Sequence, residues 1–457
     1  MKQRNFNRVL DKLILDSGSY RSFTVAMVNL ISSSSKFPII IFVCMMIVHA
    51  AYSQSSEENH NLTISYDQKR LERIDRVVNE AINNGEIPGA VVLVNQNDKD
   101  IFHKSYGFSD IVMQKKMELN SIFRIASMTK AITAVGVMIL YERGHFLLND
   151  PISKFIPEFK NPEIIVAVDS IGEVLEKRPA KREIRIIDLL THTSGIAYPF
   201  LPTKLQQVYK KNNLIDAVTE QNILLKDEMI KLAQLPLLFE PGSQYQYGLG
   251  IDVLGYLCEV ITEKSLDKFL KDEIFIPLKM VDTQFYLPVE KTDRLVKLYS
   301  WDSGKLVESK GDESAIKIDN VNFPFEGAKT YFSGGGGLTS TASDYSRFTQ
   351  MLLNKGEFDG VQLLSRKTVE LITKPKVDID NDKIPDISIG GFYVIQDIVK
   401  RGEMIGSEGA YIGSGAFYGT YLVDPQENLT VVFMSQVLPG NSNVSERLGV
   451  LVYQALK

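Results

Sequence analysis

Strand-type segments stand at both ends of this chain with helical patterns between them, and that order leaves few folds open. Near the start, IPGAVVLVNQ and KDIFHKSYGF read as two strands around a turn at Asn97-Asp98. They follow LERIDRVVNEAINN, whose apolar residues recur at helical spacing up to Gly85. Near the end, GGFYVIQDIVK, GSGAFYGTYLVDP and NLTVVFMSQ have strand character, and a last helix is expected from about Ser445 to Lys457. Between lie helical patterns such as IIDLLTHTSG, FLKDEIFIPLKM and ASDYSRFTQMLLNKG. One antiparallel sheet completed by both chain ends and flanked by helices is an α+β fold. Its sheet part falls at about 70–125 and 385–457, and a mostly helical inserted domain at about 140–380. With 457 residues, 44% of them hydrophobic, the chain can bury a substantial core without staples.

Residues 1–53 read as a leader. FPIIIFVCMMIVHAA at 37–51 follows Lys36 and precedes Ala51-Tyr52-Ser53-Gln54, the pattern of a signal peptide with a small-residue cleavage site. The run is short for a membrane span. The basic stretch ahead of it is longer than a signal needs, so either translation starts at Met27 or the leader stays on as a membrane anchor. The expected location is therefore the periplasm or the outside of the cell. Residues 54–69 read as a polar linker, and 70–455 as the main folded domain. The leader holds six Lys/Arg against two Asp/Glu, leaving 45 against 54 in the remainder, a balance with no call for nucleic acid. Cys44 lies in the leader, which leaves Cys258 as a single thiol and excludes a disulfide scaffold. No His-Glu-x-x-His or Cys/His cluster occurs, so neither metal nor cofactor is expected.

Ser-x-x-Lys occurs four times, at Ser33, Ser127, Ser265 and Ser314. Context separates them: the first lies in the leader, the third on an exposed-type helix face and the last in a polar loop. Only Ser127-Met-Thr-Lys130 opens an apolar helix, with Ala131, Val135, Met138 and Ile139 on one stripe and Gly144 as a stop. Residues three apart on a helix share a face, so Lys130 can reach the Ser127 hydroxyl. A free lysine titrates near 10.4, but desolvation and a helix N-terminus disfavour its charged form, which would make Lys130 a base for Ser127.

Ser-x-x-Lys is the nucleophile motif of the serine β-lactamase and penicillin-binding superfamily, which this chain resembles. Downstream, PGSQYQYGLGIDVLGYL is similar to the second motif of its class C β-lactamase and esterase branch, which maps the motif tyrosine to Tyr247. The resemblance implies that Tyr247 shares protons with Lys130. Leu249 stands where that branch commonly has Asn, a group that contacts a substrate amide. The third motif falls in IGSGAFYGTY, in one of two registers: Gly413-Ser414-Gly415 or Ser414-Gly415-Ala416. Neither supplies the family's Lys or His, while a backbone N–H of Gly415 or Ala416 could complete an oxyanion hole with that of Ser127. IPGAVVLV, LLTHTSGI, PLKMVDTQF and SGGGGLTSTASDYSRF resemble the same branch, in the family's order, from about 70 to 455. His192 and Ser194 read as loop-packing or capping groups, since no Gly-x-Ser-x-Gly elbow exists.

These readings point to a serine hydrolase that cleaves small esters or related carboxyl derivatives through a Ser127 acyl-enzyme. The alternatives are a β-lactamase or D-amino-acid peptidase acting on β-lactams or cell-wall peptides, and a non-catalytic module that binds cell-wall fragments. An intact Ser127, Lys130 and Tyr247 stands against the last.

Overall fold

A strand of Val and Ala buried along its whole length has to be covered on both faces, and Gly89–Gln96 (β1) is that strand. The computed structural model describes residues 66–215, 218–310, 323–379, 383–396 and 405–457. The leader 1–53 and most of the linker lie outside the described residues. β1 turns through Asn97 and Asp98, both at positive φ, into Lys99–Asp110 (β2), pairing Val91 with Ser105. Its other edge is met by the end of the chain: Val91 pairs with Met434 and Val94 with Val431 of the strand Leu429–Met434. The two termini thus complete one antiparallel sheet of nine strands among the described residues.

The stretch GSGAFYGTYLVDP forms two strands. Tyr411–Gly415 (β3) and Gly419–Asp424 (β4) fold back on each other, with Tyr418 at φ +68 in the turn and Gly415 paired to Gly419. Leu429–Met434 (β5) then inserts between β4 and β1. In GGFYVIQDIVK, only Tyr393–Val394 is strand among the described residues, and 397–404 lie outside them.

Around the sheet, Arg73–Asn83 (α1) buries Ile74, Val77, Val78 and Ala81 at helical spacing. The last helix, Val444–Tyr453 (α2), packs on it and is shorter than expected at its C-terminal end. The linker also ends earlier than residue 69. Tyr66 bridges Leu456, Asp67 N–H donates to the Ala455 carbonyl, and Gln68–Leu71 is already helical. Asp67 is a good N-cap whose oxygen receives the Arg70 N–H, a signal that the polar character of 54–69 masked.

The helix that carries Lys130, Thr129–Glu142 (α3), follows one tight turn at Ala126–Met128 that holds Ser127. Every residue from Thr129 to Leu140 is buried, so the expected apolar stripe is in fact a helix wrapped on all sides. Gly250–Thr262 (α4) packs beside it and carries Cys258, a buried thiol whose ionisation is pushed up by that burial. Ala342–Leu353 (α5), capped by Thr341, lies against β1, β4 and β5. The region 140–380 is less helical than its patterns suggest. Hairpins at Glu163–Val168/Val174–Pro179 and Tyr299–Asp302/Lys305–Glu308 interrupt it. Their strands are short and half exposed, which erases the alternation a sequence reading depends on. Residues of both parts, among them Leu93, Val135, Leu254 and Phe348, belong to one continuous core.

Candidate active site

The turn that carries Ser127 is held from several sides. Gln436, fully buried, bonds both backbone groups of Arg124: its Oε1 accepts from the Arg124 N–H at 2.8 Å and its Nε2 donates to the carbonyl at 3.2 Å. Ile125 N–H donates to the Leu338 carbonyl, and Tyr345 OH donates to that of Met128 at 3.0 Å. Between these anchors Ala126 sits at φ +44, a left-handed conformation that non-glycine residues rarely adopt. Strain of this sort costs about 1–3 kcal/mol and persists only where surrounding contacts over-determine it. Here they aim the partly exposed Ser127 side chain out of an otherwise buried segment.

Two of the residues singled out in the sequence, Lys130 and Tyr247, converge on that side chain. Lys130 Nζ lies 3.2 Å from Ser127 Oγ, and Tyr247 OH lies 2.6 Å from it, 120 residues away in sequence. Lys130 is buried and spends a second hydrogen bond, 2.6 Å, on the Gly335 carbonyl. Its ammonium also sits 4.6 Å from the centre of the Tyr247 ring and 5.1 Å from that of Tyr198. A hydroxyl between an amine and a phenol can lose its proton to one and have it carried to a leaving group by the other.

The third-motif strand arrives beside this turn. A Cβ on Gly415 would fall 2.3 Å from the Ile125 carbonyl oxygen, so β3 can approach the Ser127 turn only with glycine there. This favours the register Gly413-Ser414-Gly415. The side-chain position at Gly413 faces Tyr421, on the inner side of the strand, so alternation sends Ser414 outward, where it is exposed. Ala416 follows at the exposed end of the strand.

Leu249 does not line the site. It is fully buried in the apolar core, and its carbonyl accepts the Asp252 and Val253 N–H groups as α4 begins. Two residues past Tyr247 the chain is already at the cap of a helix, and the start of that helix turns Leu249 inward.

His192 and Ser194 pack where the loop reading put them, and His192 does so behind Tyr247. Its ring centre is 4.8 Å from that of Tyr247, its Nδ1 accepts the Gly248 N–H at 3.4 Å, and its carbonyl accepts the Gln246 N–H at 2.8 Å. Burial, reinforced by the Lys130 charge, pushes its pKa down to about 3, so the imidazole stays neutral.

The sequence reading passed over Tyr198 and Gly335. Tyr198 stacks on Phe200 at 4.9 Å and leans on Tyr247 at 5.2 Å, forming an aromatic wall beside Lys130. Nothing in AYPF singles it out. The glycine run 334–337 lies against α3 and Lys130.

Comparisons with known proteins identify the family. The Beta-lactamase family model matches residues 74–455. Protein Rv1367c of Mycobacterium tuberculosis is 30% identical over 375 residues, 79% of this chain and 89% of its own. Esterase EstB of Burkholderia gladioli is 31% identical over 213 residues, 47% of this chain and 51% of its own. Among solved structures, EstCE1, described as a hydrolase with promiscuous acyltransferase activity, superposes with a TM-score of 0.73 at 24% identity, covering 84% of this chain and 99% of its own. A model match over more than four-fifths of the chain, together with the shared sheet and helices, establishes that this chain belongs to the Beta-lactamase family and is a serine hydrolase.

Proposed function

We propose that the chain hydrolyses small esters through a Ser127 acyl-enzyme. The observation that carries this is the placement of Ser127 Oγ within hydrogen-bond reach of both Tyr247 OH and Lys130 Nζ. In the acylation half, Ser127 Oγ bonds to the ester carbonyl carbon. Its proton passes to whichever of Tyr247 Oη and Lys130 Nζ stands deprotonated in the working site, and the pair returns it to the departing alkoxide as the C–O bond breaks and the alcohol leaves. The carbonyl oxygen, negative in the tetrahedral stage, is met by the backbone N–H of Ser127 and that of Ala416, the residue after Gly415 in the favoured register. Water then attacks the acyl carbon, the same pair takes its proton and restores it to Ser127 Oγ, and a carboxylic acid is released.

Esters are favoured over β-lactams and D-amino-acid peptides because those substrates carry a carboxylate that a cation at the head of the third motif would hold, and this chain has Gly413 there. The relatives agree in kind, since one is described as an esterase and a structural neighbour as a hydrolase with acyltransferase activity. The aromatic wall of Tyr198 and Phe200 suits an apolar group on the substrate.

The test is a substrate panel on the full chain: a p-nitrophenyl short-chain ester, a chromogenic cephalosporin and a D-Ala-D-Ala peptide, each with the Ser127→Ala variant as control. Ester turnover that exceeds the other two and vanishes in Ser127→Ala supports the proposal. Cephalosporin turnover with an equal or higher kcat/KM overturns the ester reading, and turnover that survives in Ser127→Ala overturns the nucleophile.

A further inference from the structure

The Gly335 carbonyl that receives Lys130 is itself gripped from behind. Asp252, in the first turn of α4, is fully buried. Its Oδ1 accepts from Ser333 Oγ at 2.6 Å and from the Gly335 N–H at 3.1 Å. Gly335 is therefore held at both ends, by the carboxylate through its N–H and by the ammonium through its carbonyl. One residue earlier, the Gly334 carbonyl accepts from Thr133 Oγ1 on α3 at 2.8 Å. The segment 333–335 is in this way laced between the helix that carries Lys130 and Thr133 and the helix that follows Tyr247.

Asp252 Oδ2 makes no hydrogen bond, although it too is buried. A Cβ placed on Gly335 would fall 2.4 Å from this oxygen and 2.6 Å from Tyr198 OH, so the absence of a side chain lets the carboxylate and the aromatic wall close around Lys130. Burial pushes the Asp252 carboxyl up, while Ser333 and the charge of Lys130 draw it back down. An apolar helix core is a poor place for a carboxylate unless an opposite charge is near, and Lys130 is the cation that acts on it.

We propose that Asp252 is the positioning residue for Lys130: acting through Gly335, it fixes where the ammonium stands relative to Ser127 Oγ. The inference rests on the reading of Ser127 as nucleophile and extends it to a residue that touches neither substrate nor the reacting atoms. A carboxylate that only tied down the 333–335 loop would alter stability or substrate binding. One that sets the Lys130 position alters the acylation step.

The experiment compares the full wild-type chain with Asp252→Asn and Ser333→Ala. It measures the rate constant of covalent labelling by a fluorophosphonate, kcat and KM for a p-nitrophenyl ester, and the melting temperature. Asp252→Asn keeps shape and an acceptor oxygen but removes the charge. Because small misplacements of a catalytic group are amplified in rate, it should lower both the labelling rate constant and kcat by roughly tenfold or more, with KM within about threefold of wild type. Ser333→Ala, which deletes one donor to Oδ1, should lower them by about threefold or more in the same pattern. Labelling and kcat within about twofold of wild type in Asp252→Asn overturn the inference, as does a rise in KM with kcat unchanged. Should Asp252→Asn not fold, Ser333→Ala decides by the same criterion. A wild-type chain that labels yet turns over no ester refutes the ester reading alone, and the labelling rates then decide for Asp252. A wild-type chain that does not label refutes both.

Discussion

Tyr247→Phe isolates one oxygen atom at the centre of the site. The ring would keep its contacts with His192 at 4.8 Å, with Tyr198 at 5.2 Å and with the Lys130 ammonium at 4.6 Å, so the packing that holds it stays intact. What disappears is the hydroxyl 2.6 Å from Ser127 Oγ. As a stability change this is one hydrogen bond at a partly exposed position, about 1 kcal/mol or less. As a rate change it is the loss of a positioned proton carrier, typically about 10²–10⁴-fold. That span equals roughly 2.7–5.5 kcal/mol of transition-state stabilisation. The two readouts should separate cleanly, with a nearly unchanged melting temperature and kcat lower by at least about a hundredfold. Stopped-flow release of p-nitrophenol measures the acylation burst directly. The reasoning also requires that Tyr247→Phe and Lys130→Met combine with less than additive effect, because both serve one proton transfer. A Tyr247→Phe variant with kcat within about threefold of wild type, or a double mutant in which the losses multiply, would refute the shared role.

Gly415→Ala should displace the nucleophile turn, because its methyl would lie 2.3 Å from the Ile125 carbonyl oxygen; we expect roughly tenfold or greater loss of labelling rate at Ser127, and wild-type labelling would show that β3 does not constrain the turn. Leu249→Asn places an amide in a fully buried apolar position and should destabilise by about 2–4 kcal/mol in denaturant unfolding without raising cephalosporin turnover; a gain in that turnover would return the residue to the substrate surface. His192 has a folded pKa of about 3 against an ordinary value of 6.5, so below pH 6.5 the unfolded chain binds a proton that the folded one refuses. Its contribution to stability is therefore present above that pH and falls by up to about 1.4 kcal/mol per unit between pH 6.5 and 3. A His192→Gln variant should show a flatter acid limb in urea midpoints measured across this window, and an unchanged slope would mean that another group controls it.

The parts of the fold that could be read from the sequence are those where local pattern and tertiary outcome coincide. β1 and β5 are Val-rich runs of strand length, and a strand buried on both faces has to look like that. The candidate nucleophile Ser127 emerged from four Ser-x-x-Lys matches because only one opens an apolar helix, and burial of that helix is what brings Lys130 out of water beside Ser127. The hairpins within 140–380 escaped because their faces are half wet and their strands brief. Leu249 was misplaced for a different reason. A motif supplies the order of residues, whereas the direction of a side chain depends on where the helix begins, and α4 begins one residue after Leu249. The third-motif register could not be read from residue types that fit either frame, and only the close approach of Gly415 to the Ile125 carbonyl favours one of them.

Asp252 was legible in principle. GIDVLGYLCEVI is apolar except for Asp252 until Glu259, and a lone carboxylate near the start of such a helix ought to prompt a search for its partner. The partner could not be named from sequence because the connection runs through backbone, from carboxylate to the Gly335 N–H and from the Gly335 carbonyl to Lys130. Backbone groups are identical at every position and leave no trace in residue type. The only signature is negative: no side chain fits at Gly335, where a Cβ would collide with both Asp252 and Tyr198. Glycines at such points are read as turns when seen in sequence, yet here one transmits a charge interaction between two helices. On the proposed reading Lys130 is placed both by its own helix and by a loop arriving from 205 residues further along the chain.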